Sequence, residues 1–237
     1  MNTARFVALC GWLTGALIPA HTAAATSCDR QPVKPERVQI LGLDMLVNGV
    51  PTSVYGLEFA ESPEQVSDEF RAFWTRDAVP AKGQRGPSGL LLTALDDTCH
   101  YVLLLAPQPR GAHTKGVMSV MRLTGGATRH LIPDSAVPLP QGGNTVSDVE
   151  SHDPGQTGRT WIVDIGGDPA ANAQRYSSLL TQQGWSTVAQ APAYRLDGSP
   201  RVQGNAVALQ RGADRLDAVF SDRNGQTEAV VHATRSR

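Results

Sequence analysis

The sequence predicts an α+β protein built from two similar units, each an antiparallel sheet with one helix packed on one face, related as a pseudo-twofold repeat. Three observations predict it. A hairpin signal opens each half, at Asn48-Gly49 and at Asp153-Pro154-Gly155. A proline-led helix start follows at nearly the same distance, 14 residues from Asn48 to Ser62 and 15 from Asp153 to Asp168. Three strand-like segments then close each half in the same order.

Residues 1–25 carry the marks of a secretory signal peptide. Arg5 supplies the positive start, an apolar run follows over residues 6–13 and through Leu17-Ile18, and Ala23-Ala24-Ala25 offers the small residues of a cleavage site. The run is too short to span a bilayer and is interrupted by Gly11, Gly15 and Pro19. The expectation is an exported chain, periplasmic or in the cell envelope, whose mature form does not span a membrane. Cleavage would remove Cys10 and leave Cys28 and Cys99. In an oxidising compartment the simplest fate of that pair is a disulfide. The alternative makes Cys28 a lipid-modified first residue, but Ala25 stands where such sites usually carry Leu.

The first unit is expected over 26–123. Residues 41–47 and 52–59 form its hairpin. Ser62-Pro63-Glu64-Gln65 is a capping box with proline at the first helical position. Val66, Phe70, Phe73 and Trp74 then fall at the i, i+4, i+7, i+8 spacing of one buried helix face. Strands follow at 89–95, 99–105 and 116–123. Residues 124–142 are rich in Gly and Pro and read as a linker or an extended wrap. The second unit, 143–237, repeats the plan with hairpin arms at 146–150 and 159–165. A helix capped by Asp168-Pro169 carries Ala173, Tyr176, Leu179 and Leu180 and stops at Gly184, with Trp185 placed to pack back. Strands at 206–211, 215–221 and 227–233 complete it. Two such sheets could stack face to face or join edge to edge, and local pattern does not choose.

Charge excludes some function classes. The chain has 237 residues with 21 Lys plus Arg against 22 Asp plus Glu, a net charge of -1, so no dominating basic surface awaits a nucleic acid. Arg110, Arg122, Arg129 and Lys115 form at most a mild basic group. Metal chemistry has no sequence support: no Cys-x-x-Cys pair or His-Glu-x-x-His helix occurs, and His100, His113, His130, His152 and His232 are scattered. Gly166-Gly167 sits between strand and helix but lacks the lysine and spacing of a phosphate loop. No cofactor is expected. The densest polar cluster is Ser147-Asp148-Val149-Glu150-Ser151-His152-Asp153. On a strand, Asp148, Glu150 and His152 share one face while Ser147, Val149 and Ser151 share the other, so the stretch reads as a polar edge strand entering a turn. Asp96-Asp97 reads as a solvated turn. No catalytic residue is named.

Asn48-Gly49-Val50-Pro51, the Ser-Pro-capped helix and a second helix ending in Gly184-Trp185 resemble the pattern of exported Gram-negative proteins made of two tandem α+β units, associated with pilus or secretion-system gene neighbourhoods. The resemblance covers most of residues 37–234. It implies a non-enzymatic protein-binding module accessory to the assembly of an envelope appendage, and it transfers no functional residue. Two alternatives stay open: an exported hydrolase using His152 with a nearby acid and hydroxyl, and a small-ligand binder in the cleft between the units.

Overall fold

The computed structural model describes residues 28–107, 113–124, 130–153, 155–194 and 202–236. The expected signal peptide, Cys10, Arg110 and Arg129 lie outside the described residues.

The first half runs β1 (Arg37–Val47), β2 (Val50–Phe59), α1 (Pro63–Arg76), β3 (Ala81–Gly86), β4 (Gly89–Leu95), β5 (Cys99–Leu105) and β6 (Thr114–Arg122). The second runs β7 (Asn144–Asp153), β8 (Gln156–Ile165), α2 (Pro169–Gln182), β9 (Ser186–Tyr194), β10 (Val202–Arg211), β11 (Asp214–Arg223) and β12 (Gln226–Ser236). Asn48 and Gly49 both take positive φ, 50° and 77°, the backbone that a two-residue hairpin turn demands. The capping box of α1 is complete: Gln65 N donates to Ser62 Oγ at 3.3 Å and Ser62 N donates to Gln65 Oε1 at 3.0 Å. Asp168 caps α2 by accepting from Ala171 N at 2.8 Å.

All strands join one antiparallel sheet of twelve, in the order β3-β4-β5-β6-β2-β1-β7-β8-β12-β11-β10-β9. The halves therefore meet edge to edge, through β1 and β7. That joint is short, pairing Met45, Leu46 and Val47 with Ser151, Glu150 and Val149. It corrects the sequence reading of residues 147–153 as an edge strand: β7 lies at the middle of the sheet. The true edges, β3 and β9, were not anticipated. Apolar periodicity reports burial, and these strands bury almost nothing: every residue of β3 except Ala81, and of β9 except Ala193, is exposed.

Each helix lies over its own half. Val66, Phe70 and Trp74 are fully buried against Leu92, Tyr101, Leu103 and Phe59, with Phe73 partly covered at the rim. The Trp74 and Tyr101 rings approach to 4.7 Å between centroids. In the second half, Ala173, Tyr176, Leu180 and Trp185 pack on Trp161, Val163, Val207, Leu216 and Phe220. Gly184, at φ 85°, ends that helix and turns Trp185 back into the core. Both clusters lie on the same face of the sheet, because Leu46 stands directly opposite both Pro51 and Glu150 in its flanking ladders.

Two kinds of close contact occur in each half. A Cβ on Gly89 would overlap the carbonyl oxygen of Leu105, and one on Gly204 would overlap that of Phe220. Thr114 Oγ1 donates to the Glu61 carbonyl at 2.5 Å and Thr227 Oγ1 to the Gly167 carbonyl at 2.6 Å, each tying a strand to the residue before a helix cap.

Cys28 and Cys99 form a disulfide, with Cα atoms 5.8 Å apart. The Cys28 sulfur is thus engaged by Cys99, against the lipid-anchor alternative. The bond holds the segment before β1 on the first core, where Arg30 lies over the Trp74 ring at 4.7 Å and pairs with Asp77. Within the stretch read as a linker, residues 124–142, Ile132 and Val137 are buried in the second cluster around a short 3-10 turn at Asp134–Ala136. That part is a wrap belonging to the second core. No helix among the described residues is long and apolar enough to cross a membrane.

Candidate functional site

The strand alternation of β7 sends Asp148, Glu150 and His152 to the helix-bearing face, in the gap between the two packed helices. Across the ladder, Arg159 of β8 stands opposite Glu150 and Thr157 stands opposite His152. The backbone of residues 130–134 crosses above them. The result is a charged cluster at the centre of the sheet, where Glu150 has 0% and Arg159 2% of its surface exposed.

Glu150 is the hub. Its Oε1 accepts from Leu131 N at 2.6 Å and meets His152 Nε2 at 2.7 Å, while Oε2 meets His130 Nδ1 at 3.0 Å. Arg159 spans the other side. Its Nε and Nη2 donate to the two oxygens of Asp148 at 2.8 and 2.5 Å, its Nη1 donates to the Ile132 carbonyl at 2.5 Å, and Nη2 also reaches Asp134 at 2.7 Å. The guanidinium plane covers the Trp161 ring at 4.8 Å. A forked cation with an apolar face suits this place, since it satisfies a carboxylate and a carbonyl together while packing on an aromatic ring.

His152 bridges the halves. Nδ1 lies 3.2 Å from Asp44 of β1, and Nε2 faces Glu150. Burial opposes its charge, yet the hydrogen bonds and negative fields of Glu150 and Asp44 outweigh that cost and raise its pKa above the ordinary histidine value. Arg159, opposed by burial and favoured by Asp148 and Asp134, is likewise raised. Backbone contacts reinforce the same joint: Asn48 N donates to the Asp148 carbonyl at 2.6 Å, and Asp148 N donates to Asn48 Oδ1 at 2.9 Å.

The chemistry of the cluster is that of a clamp. Both ring nitrogens of His152 face carboxylates, so neither is left to take a proton from a hydroxyl. Ser151 lies on the opposite face, beside Gly158 and His232. Among the described residues no group of three His, Cys, Asp or Glu could hold a metal ion. No family model matches the chain, and no curated protein matches it.

Of the residues singled out in the sequence, Asp148, Glu150 and His152 are brought together and His130 joins them. The other histidines stay apart: His100 pairs with Thr93 at 2.6 Å, His232 with Thr160 at 2.8 Å and His113 with Glu36 at 3.2 Å. Asp96 closes its turn by accepting from Thr98 N and Cys99 N at 2.9 and 2.6 Å. Gly167 takes φ 91° ahead of the α2 cap, as a turn requires. Lys115 stands opposite Glu58 in the ladder, and Glu58 pairs with Arg37 at 3.5 Å. Sequence reasoning missed Arg159, Asp44 and Asp134. The signal for Arg159 was present: it alternates with Trp161, Val163 and Ile165 on an inward face, and a cation there requires a buried partner.

Proposed function

We propose that this chain is an exported, non-enzymatic module that binds other proteins of the cell envelope, built from two copies of one α+β unit and accessory to the assembly of an appendage or secretion apparatus. The duplicated unit is supported by the strand order, in which β3-β4-β5-β6-β2-β1 and β9-β10-β11-β12-β8-β7 name the same positions of each half. The Gly89 and Gly204 close approaches and the Thr114 and Thr227 tethers fall at matching places in that frame. Export is supported by the Cys28–Cys99 disulfide and by the signal-peptide pattern of residues 1–25.

The observation that carries protein binding is β9. It pairs with β10 on one side only, is exposed along its length except at Ala193, and has no charged residue among its nine. Sheet edges are ordinarily defended by charge, bulges or proline, and β9 carries no charge. Although Pro192 lacks an N–H and the ladder is irregular opposite Ala208 and Leu209, residues 186–191 keep main-chain groups that another strand can pair. The central cluster supports the same reading, because both ring nitrogens of His152 are already engaged by carboxylates.

Cross-linking in intact envelopes followed by affinity purification tests the proposal. The expected result is a discrete set of partners captured by the wild type and lost with Val188→Asp, which places a charge on the edge strand. Capture of no partner, or capture unaltered by Val188→Asp, would overturn it.

A further inference from the structure

We infer that the cleft between α2 and the β9–β10 strands seats an extended, uncharged peptide segment of a partner protein. The inference rests on the protein-binding reading and narrows it to one surface and one ligand chemistry.

The cleft has a volume of about 630 Å³, and among the described residues its lining contains no Lys, Arg, Asp, Glu or His. Gln174, Ser177, Ser178 and Gln182 come from α2, and Gln190 and Asn205 from the facing strands, with alanines between them. Ser177 Oγ is held only by long contacts, 3.4 Å to Thr187 and 3.5 Å to Gln190, which a better partner would displace. Ala170, Gln174, Ser178 and Gln182 form an i, i+4, i+8, i+12 row that winds gently round the helix along the cleft. At 1.5 Å per residue it runs for about 18 Å, the length of about five residues of extended chain.

The other half lacks this feature. Counted from the proline that opens each helix, the matching flank of α1 carries Glu64, Asp68, Arg71 and Arg76. Arg85 of β3 bonds Glu64 at 2.8 Å across this flank, and a Cβ on Gly83 would meet Arg71 Nη2 at 2.6 Å. One flank is thus bridged by charged side chains, while the described residues of the other are neutral.

The lining selects its ligand. Carboxamides and hydroxyls both donate and accept, which matches the alternating N–H and C=O groups of a peptide main chain. A carboxylate, phosphate or ammonium group would lose water there without gaining a counter-charge. Among the described residues no aromatic ring lines the cleft to stack on a sugar face.

The test is to pan a random-peptide phage library against the disulfide-bonded mature chain and measure the selected synthetic peptides by fluorescence anisotropy. Ser178→Trp fills the cleft from an exposed position, and Ala72→Trp places the same bulk at the matching position of α1. The expected result is a shared uncharged run of about five residues, weakened at least about tenfold by Ser178→Trp and unaffected by Ala72→Trp. Selected peptides that require charged residues, or no selected peptide at all, would overturn the inference. So would backbone amide shifts at the cleft with an N-acetylglucosamine oligomer and none with peptides, which would make the occupant a glycan. Peptides that bind but ignore Ser178→Trp would overturn the cleft and leave protein binding standing, whereas envelope cross-linking that also finds no partner would overturn both.

Discussion

Replacing Arg159 by Met removes the one permanent cation from the central cluster while keeping a side chain of similar length on Trp161. Because the stem volume is largely retained, the cost comes from electrostatics and not from a cavity. The Asp134 contribution is small, since that side chain is 86% exposed and pairs of that kind are worth at most about 1 kcal/mol. The two-point bond to Asp148 and the bond to the Ile132 carbonyl are different: Arg159 is 2% exposed, and Glu150, 3.9 Å away, is wholly buried. Removing one partner from a buried charge set typically costs about 3–5 kcal/mol, because the remaining carboxylates stay desolvated. The 17% exposure of Asp148 lets some water return and places the expectation near about 3 kcal/mol. Urea unfolding followed by tryptophan fluorescence measures it, as a lower midpoint at unchanged slope. Arg159→Lys should fall between, because one ammonium cannot serve both Asp148 oxygens and the Ile132 carbonyl. A loss below about 1 kcal/mol for Arg159→Met, the range of exposed pairs, would refute the view that Arg159 anchors Asp148 and the 130–134 wrap on the sheet.

Phe70→Ala, deep under α1, should cost about 3–5 kcal/mol in the same assay, and a cost below about 1 kcal/mol would contradict its full burial. Reducing Cys28–Cys99, which closes a separation of 71 residues, should lower stability by about 4 kcal/mol from loop-closure entropy; intact protein should show no free thiol, and an unchanged urea midpoint after reduction would refute a stabilising bond. His152 has a folded pKa raised above its unfolded value of about 6.5, so its contribution is fully present below that pH and is lost as pH rises through the folded value. The stability difference between wild type and His152→Gln should therefore hold steady below about pH 6.5 and shrink as pH rises above it, and a difference that stays flat or grows on the alkaline side would refute the bridge to Asp44 and Glu150.

Local interactions made most of the elements legible. Ser62, Gln65 and Asp168 cap helices with their own side chains, Asn48-Gly49 closes a hairpin with its own dihedrals, and the spacing of Val66, Phe70 and Trp74 marks a buried face wherever the sheet lies. The pairing of Cys28 with Cys99 followed from setting Cys10 aside with the expected signal peptide and counting the two cysteines that remain. Part of the central cluster was legible too, because strand alternation alone puts Asp148, Glu150 and His152 on one side. Tertiary structure decided the rest. Only three residue pairs join β1 to β7, and nothing local to either strand states that they meet, so Asp44 and His152 came together without a sequence signal. His130 and Asp134 reach Glu150 and Arg159 because residues 130–137 wrap onto the second core, a choice made by the burial of Ile132 and Val137. The edge strands β3 and β9 were hidden for the opposite reason: having almost no buried side, they carry no apolar period, and only the pairing of their main chains defines them.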